Sequence, residues 1–130
     1  KELMVTWILW ALILAMLAWM GFNYLRIRRA AKIIDNEEFE ALIRIGQLID
    51  LRDPAEFHRK HILGARNIPS SQLKTSLAAL RKDKPVLLYE NQRAQRVTNA
   101  ALYLKKQGFS EIYILSYGLD SWKGKVKVEK

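Results

Sequence analysis

The chain contains the run Ile49-Asp50-Leu51-Arg52-Asp53-Pro54-Ala55-Glu56-Phe57, followed after three residues by His61-Ile62-Leu63-Gly64-Ala65-Arg66-Asn67-Ile68-Pro69. The brief apolar run Leu48–Leu51 predicts a strand, and Pro54 suits the first turn of a helix that continues through Phe57. At the end of the strand Asp50 can accept hydrogen bonds from loop amides, and Gly64 suits a turn that needs positive φ. The two runs therefore predict a strand, a helix and a turn in close succession.

Further strands and helices alternate along the rest of the chain. Asp35, with Glu38 three residues later, has the pattern of a capping box and predicts the start of a helix. Phe39, Leu42 and Ile43 then form one apolar face of that helix. The other predicted elements are an amphipathic helix with Leu73, Leu77 and Leu80, a buried strand Val86–Tyr89, a helix from about Ala94 to Gln107 that stops at Gly108, and a strand Ile112–Leu115. Strands that alternate with helices predict an α/β fold, with a mostly parallel sheet flanked by helices on both faces.

The first part of the chain has a different character. From Leu3 to Phe22 there are twenty residues without a charge, and a helix of that length spans about 30 Å, the thickness of the hydrocarbon core of a membrane. Most basic residues near this stretch follow it rather than precede it, which argues against a secretory signal peptide. We therefore predict one transmembrane helix, with residues 1–30 forming the anchor and its basic flank and residues 31–130 forming a separate domain.

Four basic residues after the apolar stretch predict its orientation. They are Arg26, Arg28, Arg29 and Lys32. Cationic flanks stay on the cytoplasmic side of a membrane, and aromatic residues gather at both interfaces. Trp7 and Trp10 would then lie near the outer interface, and Trp19 and Tyr24 near the inner one. We expect a single-pass protein of the cell membrane, with the N-terminus outside and the C-terminal domain in the cytoplasm.

One face of the apolar helix carries small side chains. Ala11, Ala15 and Ala18 are spaced by four and then three residues, so another membrane helix could pack closely against this face. The alternative is that alanine is simply common in membrane helices. We expect the lipid bilayer to be one partner of the chain and another membrane protein to be a second.

The composition excludes several classes of function. The chain has no cysteine and a net charge of +9, so disulfide frameworks, cysteine–zinc sites and thiolate chemistry are excluded. In a membrane-tethered domain the lysines favour the anionic inner leaflet over nucleic acid, for which the sequence carries no motif. A basic surface that is merely solvated is the alternative.

The two runs quoted above resemble the linked motifs of rhodanese-like domains. The family pattern reads Asp-Val-Arg, then x-Pro-x-Glu-Phe, then Gly-His-Ile-x-Gly-Ala-x-Asn-Ile-Pro. Gly108-Phe109 and the later run Leu115-Ser116-Tyr117-Gly118-Leu119-Asp120-Ser121-Trp122 are similar to the closing part of that pattern. The resemblance covers about residues 31–126 and implies a rhodanese-like domain. The matching positions with an implied structural role are Asp50, Arg52, His61, Gly64, Gly118 and Trp122.

The resemblance implies sulfur transfer, and the chain departs from the family at that point. In the family, a cysteine in the loop Cys-x-x-Gly-x-Arg-Ser takes sulfane sulfur from a donor such as thiosulfate and holds it as a persulfide. Counting forward from the strand places Glu90 at the cysteine position. Counting back from Ala100-Ala101 places Asn91 there and matches Arg96 to the loop arginine. Either register lacks the thiol and the glycine and replaces the serine.

Nothing else in the sequence replaces the missing thiol. Glu90 as a carboxylate nucleophile would need a partner acid or base that the sequence does not identify. His58 and His61 form an H-x-x-H pair, but no third ligand stands nearby, and His61 matches a structural position of the family. We therefore predict no catalytic residue, no metal and no cofactor.

Two classes of function are left. The first is a catalytically silent rhodanese-like module that acts as an adaptor or regulator of membrane proteins. The second is a sensor or carrier of a small anion or sulfur species, and residual sulfurtransferase activity is a further option. The loop that either class would use consists of Glu90, Asn91, Gln92, Arg93, Ala94, Gln95 and Arg96. A loop without glycine is poorly suited to pointing successive amides inward, so we favour the first class.

Overall fold

The computed structural model describes residues 1–92 and 95–129. Its first element, α1, is one continuous helix over Glu2–Ala30. Residues 3–22 are exposed along their whole length, and α1 is long and apolar enough to cross a membrane. The predicted apolar helix is therefore present, while the functional division of the chain at residue 30 stays a prediction.

The rest of the described chain is built around a five-stranded sheet. In chain order the strands are β1 (Lys32–Ile34), β2 (Gln47–Asp50), β3 (Lys60–Ile62), β4 (Arg66–Asn67), β5 (Val86–Tyr89), β6 (Ile112–Leu115) and β7 (Val126–Val128). The sheet has the order β1-β6-β5-β2-β4, and every neighbouring pair in it is parallel. Strands β3 and β7 form a separate antiparallel pair, in which Ile62 lies opposite Val126. The predicted α/β architecture with a mostly parallel sheet is confirmed.

In the described part of the chain, three α-helices follow α1. They are α2 (Asn36–Ile43), α3 (Pro54–Arg59) and α4 (Gln95–Lys106). The Asp35 carboxylate accepts a hydrogen bond of 2.9 Å from the backbone N–H of Glu38, which confirms the predicted N-cap of α2. Gly108 has a φ of +99° just past α4, and Gly64 has a φ of +90° in its turn, as predicted. The predicted start of the long helix near Ala94 lies outside the described residues.

The predicted amphipathic helix that carries Leu73 and Leu80 is wrong in type. The segment forms 3-10 turns, chiefly over Lys74–Ala79, instead of an α-helix. The Thr75 hydroxyl donates a hydrogen bond of 2.9 Å to the Gln72 carbonyl, and side-chain bonds of this kind compete with those of an α-helix. Leu73 and Leu80 are still buried. The apolar spacing therefore indicated the buried face correctly but not the kind of helix.

The two faces of the sheet carry separate hydrophobic cores. On one face Leu88 of β5 shares a core with Leu104 of α4. On the other face Leu87 shares a core with Phe39 of α2. The Phe39 ring also meets Trp122 edge-on, with ring centroids 5.8 Å apart. Since successive residues of β5 point to opposite faces and both faces are covered, this central strand is apolar throughout.

The sheet has one edge close to α1 and another far from it. Strand β1 starts at Lys32, just after α1 ends at Ala30, and the parallel strands all start at this same edge, the amino edge. The loops that follow β2 and β5 lie at the opposite edge, the carboxyl edge. Helix α4 runs back from the carboxyl edge to the amino edge, where Lys106 lies beside Arg29 of α1. Parallel sheets place their ligand sites at the carboxyl edge.

Candidate functional site

A buried ion pair forms the base of the carboxyl edge. Asp50 ends β2, and Arg52 Nη2 lies 2.8 Å from Asp50 Oδ2 while Arg52 Nε lies 3.0 Å from Oδ1. The backbone N–H of Arg52 also donates to Asp50 Oδ1 at 2.9 Å, which is a loop-amide contact of the kind expected of Asp50. Both residues are buried. The pair is therefore a fixed part of the fold, because breaking a buried pair leaves an uncompensated charge.

Arg52 also connects Asp50 to two other loops. Its Nη1 donates a hydrogen bond of 3.0 Å to Oδ1 of Asn91, just after β5, and its Nη2 donates to the Lys60 carbonyl. Burial disfavours the charged guanidinium, but the hydrogen bond and negative charge of Asp50 outweigh burial and raise the pKa of Arg52. Arg52 is therefore a permanent cation beneath the start of the 90–96 loop.

Asn91 is held between a cation and an anion. Its Oδ1 accepts from Arg52, and its Nδ2 donates to Glu56 Oε2 at 2.8 Å. The pocket that these three residues line has a volume of about 270 Å³ and also includes Arg59, Lys60, Leu119 and Asp120. Both ends of the Asn91 amide are engaged, so this side chain ties the loop after β5 to the loop after β2.

Glu90 faces the N-terminus of α4. Its Oε2 accepts a hydrogen bond of 2.8 Å from the backbone N–H of Val97 in the first turn of that helix, and the residue is only 8% exposed. A helix N-terminus carries partial positive charge and favours an anion. In this fold the anion at that position is the chain's own carboxylate.

The tail that follows β6 holds the start of the same loop. The backbone N–H of Leu119 donates to the Glu90 carbonyl at 2.9 Å. The N–H of Asp120 donates to the Asn91 carbonyl at 3.0 Å. Gly118 has a φ of +69°, and a Cβ at this position would lie 2.4 Å from the Asn91 carbonyl oxygen. Both the backbone conformation and the close approach require glycine here.

Acidic residues from elsewhere in the chain pair with two residues of the predicted 90–96 loop. Gln92 Nε2 lies 3.4 Å from Asp120 Oδ2. Arg96 Nη2 lies 3.9 Å from Asp53 Oδ2. These acidic partners, and Glu56 as the partner of Asn91, were not predicted from the sequence. Asp53 and Glu56 stand in the first run quoted above, and only the closeness of the β2 and β5 loops at one edge would have pointed to them.

Three further residues belong to the predicted loop. Gln95 Nε2 donates to Asn99 Oδ1 at 2.7 Å along α4. Arg93 and Ala94 lie outside the described residues. The structure therefore brings Glu90, Asn91 and Gln92 together at the carboxyl edge, whereas Gln95 and Arg96 lie on the first turn of α4.

The second of the two quoted runs packs beneath the site. His61 Nδ1 donates to the Phe57 carbonyl at 2.7 Å, and its ring stacks on Phe57 with centroids 3.8 Å apart. The Tyr89 hydroxyl accepts a hydrogen bond of 3.1 Å from the Ile62 N–H. Burial and the nearby Asp50 carboxylate raise the pKa of Tyr89. Within residues 1–92 and 95–129, no group of three or more His, Cys, Asp or Glu residues is arranged to hold a metal ion.

The small-residue face of α1 is separate from this site. Ala11, Ala15 and Ala18 are exposed on the apolar helix, and the chain's own domain does not cover them. The packing of another helix against this face stays a prediction.

Comparison with known proteins identifies the family. The family model described as Rhodanese-like domain matches residues 35–125. The chain belongs to the rhodanese-like family. One relative, named uncharacterized protein YqhL, comes from Bacillus subtilis (strain 168) and is 47% identical over 116 residues, 89% of this chain and 91% of the relative. Thiosulfate sulfurtransferase GlpE of Stutzerimonas stutzeri (strain A1501) is 37% identical over 95 residues, 71% of this chain and 84% of GlpE.

Solved structures share the fold of this rhodanese-like domain. The rhodanese-related protein of Thermoplasma volcanium matches with a TM-score of 0.68 at 25% identity, covering 75% of this chain and 99% of that chain. The full-length protein from Lactobacillus plantarum matches with a TM-score of 0.65 at 21% identity, covering 88% of this chain and 98% of that chain. This rhodanese-like chain differs from the catalytic pattern in one respect that its composition alone shows: none of its 130 residues is a cysteine.

Proposed function

We propose that this chain is a membrane-anchored rhodanese-like module that binds a protein partner and transfers no sulfur. The proposal is carried by the hydrogen bond of 2.8 Å from the Val97 N–H to the Glu90 carboxylate. This bond places a fixed negative charge at the N-terminus of α4. The family's mechanism would need a reactive thiolate and an incoming anionic donor in the corresponding loop.

Two features of the chain, its lack of cysteine and the Glu90 carboxylate, oppose sulfur transfer. The chain has no cysteine that could form a persulfide. A donor such as thiosulfate is an anion, and near a protein surface two like unit charges 4 Å apart repel each other by about 4 kcal/mol. The Glu90 carboxylate would therefore oppose donor binding at the loop. The activity in the name of GlpE belongs to that relative.

A carboxylate nucleophile receives no support either. Glu90 is only 8% exposed, and its Oε2 is bound to the helix backbone. A nucleophile needs an oxygen that can reach the substrate and an adjacent group that activates it. The geometry of Glu90 is that of a helix cap.

The surface beside the site suits a protein partner. Tyr117 is 69% exposed and directly precedes Gly118, whose turn contacts the Asn91 carbonyl. Tyrosine is enriched among the residues that anchor protein interfaces. The adjacent pocket contains both Glu56 and Arg59, and charges of both signs favour a specific partner of complementary charge. We therefore place the partner-binding surface at the carboxyl edge, around Tyr117.

The tether strengthens such an interaction. Helix α1 is long and apolar enough to cross a membrane, and the basic residues after its apolar stretch favour a cytoplasmic domain. If both molecules are held on one bilayer, their effective concentration rises and each contact can be weak. A membrane protein is therefore the partner we propose, with the small-residue face of α1 as a second contact.

A small-anion carrier is the second candidate, and one pocket favours it. This pocket, of about 320 Å³, lies between the 3-10 turns and α4 and is lined by Ser70, Lys74 and Arg96 among others. Two cations and a hydroxyl group are suitable ligands for an oxyanion. Titration with thiosulfate, sulfite and phosphate while the unfolding temperature is recorded tests this candidate, because a bound ligand stabilises the folded state. The absence of any shift would dismiss it.

Crosslinking in intact membranes tests the proposed function. Tagged wild-type chain is compared with Tyr117→Ser and with Ile45→Ser, and crosslinked proteins are identified by mass spectrometry. Ile45 is 59% exposed but precedes β2 at the amino edge, so it is a matched control. We expect Tyr117→Ser to lower the yield of the main partner by about tenfold, as loss of an interface anchor does. Equal yields from all three chains, or no partner, would contradict the proposal.

A further inference from the structure

A pocket with a basic wall lies where α1 meets α4. It has a volume of about 410 Å³ and is lined by Arg26, Arg29 and Ala30 of α1 and by Leu102, Lys105 and Lys106 of α4. All four charged residues of this wall are cations, and the other two are apolar. We call this site the basic pocket. It lies at the amino edge, at the other end of α4 from the candidate site.

The cations of the basic pocket are not neutralised by the protein. Among the residues that the structure describes, the ion pairs are Asp50–Arg52, Arg81–Asp83 and Asp53–Arg96, and none of them involves this pocket. The C-termini of α1 and α4 contribute about half a negative charge each through their dipoles. Four full positive charges outweigh that contribution, so a net charge of about +3 remains. The basic pocket is therefore suited to an anionic ligand.

The position of the basic pocket along α1 matches the headgroup layer of a membrane. Phe22 ends the apolar stretch, and Arg26 and Arg29 follow it by four and seven residues. At a rise of 1.5 Å per residue these cations lie about 6 and 10 Å beyond Phe22 along the helix. The headgroup layer of one leaflet is about 5 to 8 Å thick. Arg26 therefore falls within this layer, and Arg29 lies just outside it. Both cations are close to the depth of lipid phosphates.

We propose that the basic pocket binds the phosphate of one anionic phospholipid headgroup. Arg26 and Arg29 would contact the phosphate from α1, and Lys105 and Lys106 would contact it from α4. The apolar part of the wall would meet the glycerol and the first acyl carbons of the lipid. The inference rests on the proposed membrane anchoring by α1. It gives the bound lipid a role, because the lipid ties the end of α4 to the bilayer and fixes the orientation of the domain.

Native mass spectrometry of the full chain in detergent tests this site. Phosphatidylglycerol is titrated into wild type, into K105Q/K106Q and into K123Q/K127Q, with phosphatidylcholine as the lipid without net charge. All four lysines are exposed, so the fold tolerates both pairs of substitutions, and the two variants lose the same charge. Arg26 and Arg29 are left unchanged because they contribute to the topology.

We expect wild type and K123Q/K127Q to bind one phosphatidylglycerol in preference to phosphatidylcholine. The affinity of K105Q/K106Q for phosphatidylglycerol should fall about 30-fold, since each cation near an anionic lipid contributes roughly 1 kcal/mol. The proposed site would be overturned if both variants lost the same affinity for phosphatidylglycerol. It would also be overturned if the wild type bound phosphatidylglycerol and phosphatidylcholine equally well. Displacement of the lipid by inorganic phosphate at equal concentration would also overturn it, because the ligand would then be a soluble phosphate.

Alkaline extraction of membranes separates this inference from the proposed anchoring. Release of the wild-type chain by alkaline carbonate would overturn the anchoring and the lipid site together. Retention of the wild type and of K105Q/K106Q, combined with equal lipid binding by the two, would overturn the basic pocket alone. Retention combined with the expected loss of affinity supports both.

Discussion

The Glu90 carboxylate accepts a hydrogen bond of 2.8 Å from the backbone N–H of Val97. The bond joins the residue that follows β5 to the first turn of α4. At a helix N-terminus an anion is favoured whether it is a thiolate, a ligand or a carboxylate. In this chain the anion is the Glu90 carboxylate, which caps the helix.

Removal of that carboxylate should destabilise the fold. Glu90→Ala leaves the buried Val97 N–H without an acceptor, which costs about 1–3 kcal/mol. Glu90→Gln keeps an acceptor oxygen and loses only the interaction with the helix dipole, worth about 0.3–2 kcal/mol. Thermal unfolding of the full chain in detergent, followed by near-ultraviolet circular dichroism, should rank wild type above Glu90→Gln and Glu90→Ala lowest. Glu111→Gln, at an exposed position, is the control, and a Glu90→Ala variant as stable as wild type would refute the cap.

The full chain should show no sulfurtransferase turnover. Thiosulfate and cyanide should yield no thiocyanate above background, and mass spectrometry should show no sulfur adduct after incubation with thiosulfate. The reason is the absence of any thiol in the chain. A covalent sulfur adduct on the wild-type protein would disprove the central claim about this site.

Cysteine substitution should show whether Glu90 or Asn91 occupies the position of the family's cysteine. We expect the thiol of Glu90→Cys to have a pKa below its ordinary value of about 8.5, because it would face the N-terminus of α4. At position 91, Arg52 would lower the pKa of an introduced thiol and Glu56 would offset that effect. The thiol pKa of Asn91→Cys should therefore be closer to the ordinary value. Titration of the thiolate absorbance against pH measures the thiol pKa of both variants. A more acidic thiol at position 91 would assign the family's cysteine position to Asn91.

Alkaline pH should destabilise the fold through Tyr89. Burial and Asp50 raise the pKa of Tyr89 in the folded state, whereas tyrosine in an unfolded chain ionises near pH ~10. Above pH ~10 the folded state keeps the Tyr89 proton that the unfolded state loses. The contribution of Tyr89 to the free energy of unfolding is therefore complete below pH ~10 and is lost as the pH rises further, by up to about 1.4 kcal/mol per pH unit.

The Tyr89→Phe variant isolates this effect. It should be less stable than wild type at neutral pH, because the Ile62 N–H loses its acceptor. Its unfolding temperature should fall less steeply than that of wild type above pH ~10. Parallel curves for the two proteins would show that Tyr89 does not cause the alkaline loss.

Protease accessibility should report the predicted topology. Protease added to intact cells should leave the C-terminal domain whole, and digestion should follow once the cytoplasmic face is opened. Replacement of the four basic residues Arg26, Arg28, Arg29 and Lys32 by glutamine should yield mixed orientations, because these charges hold their flank inside. Cleavage of the wild type from outside would reverse the orientation.

Strands β5 and β6 could be predicted from the sequence with their bounds, while the short strands could not. The runs Val86–Tyr89 and Ile112–Leu115 are apolar throughout because both faces of the sheet are covered. Strand β3 has only three residues, and its partner β7 lies more than 60 residues further along the chain, with Lys60 opposite Val128. A strand of that length has no periodicity of its own, and its existence depends on a distant partner.

The candidate site was predictable to a similar extent. Gly118, whose φ is positive, was among the positions that the family resemblance singled out, and the strand end at Asp50 follows from the first quoted run. The bond between Asn91 and Glu56 joins residues 35 positions apart, and local sequence carries no signal for it. The sequence alone could not decide whether Glu90 or Asn91 faces α4, because that depends on the path of the backbone after β5. The structure places Glu90 against α4 and Asn91 between Arg52 and Glu56.

The direction of α4 has a consequence for the size of any partner. The helix has 12 residues, so the carboxyl edge lies about 18 Å from the end of α4 that meets α1. An extended chain covers at most about 3.3–3.6 Å per residue. If α1 anchors the chain as proposed, a cytoplasmic loop of a membrane protein would need about five or six residues to reach Tyr117 and as many to return. Under the proposed function, membrane proteins whose helices are joined by tight turns would be too short to touch this surface, and the fold would select its partners by the length of their loops.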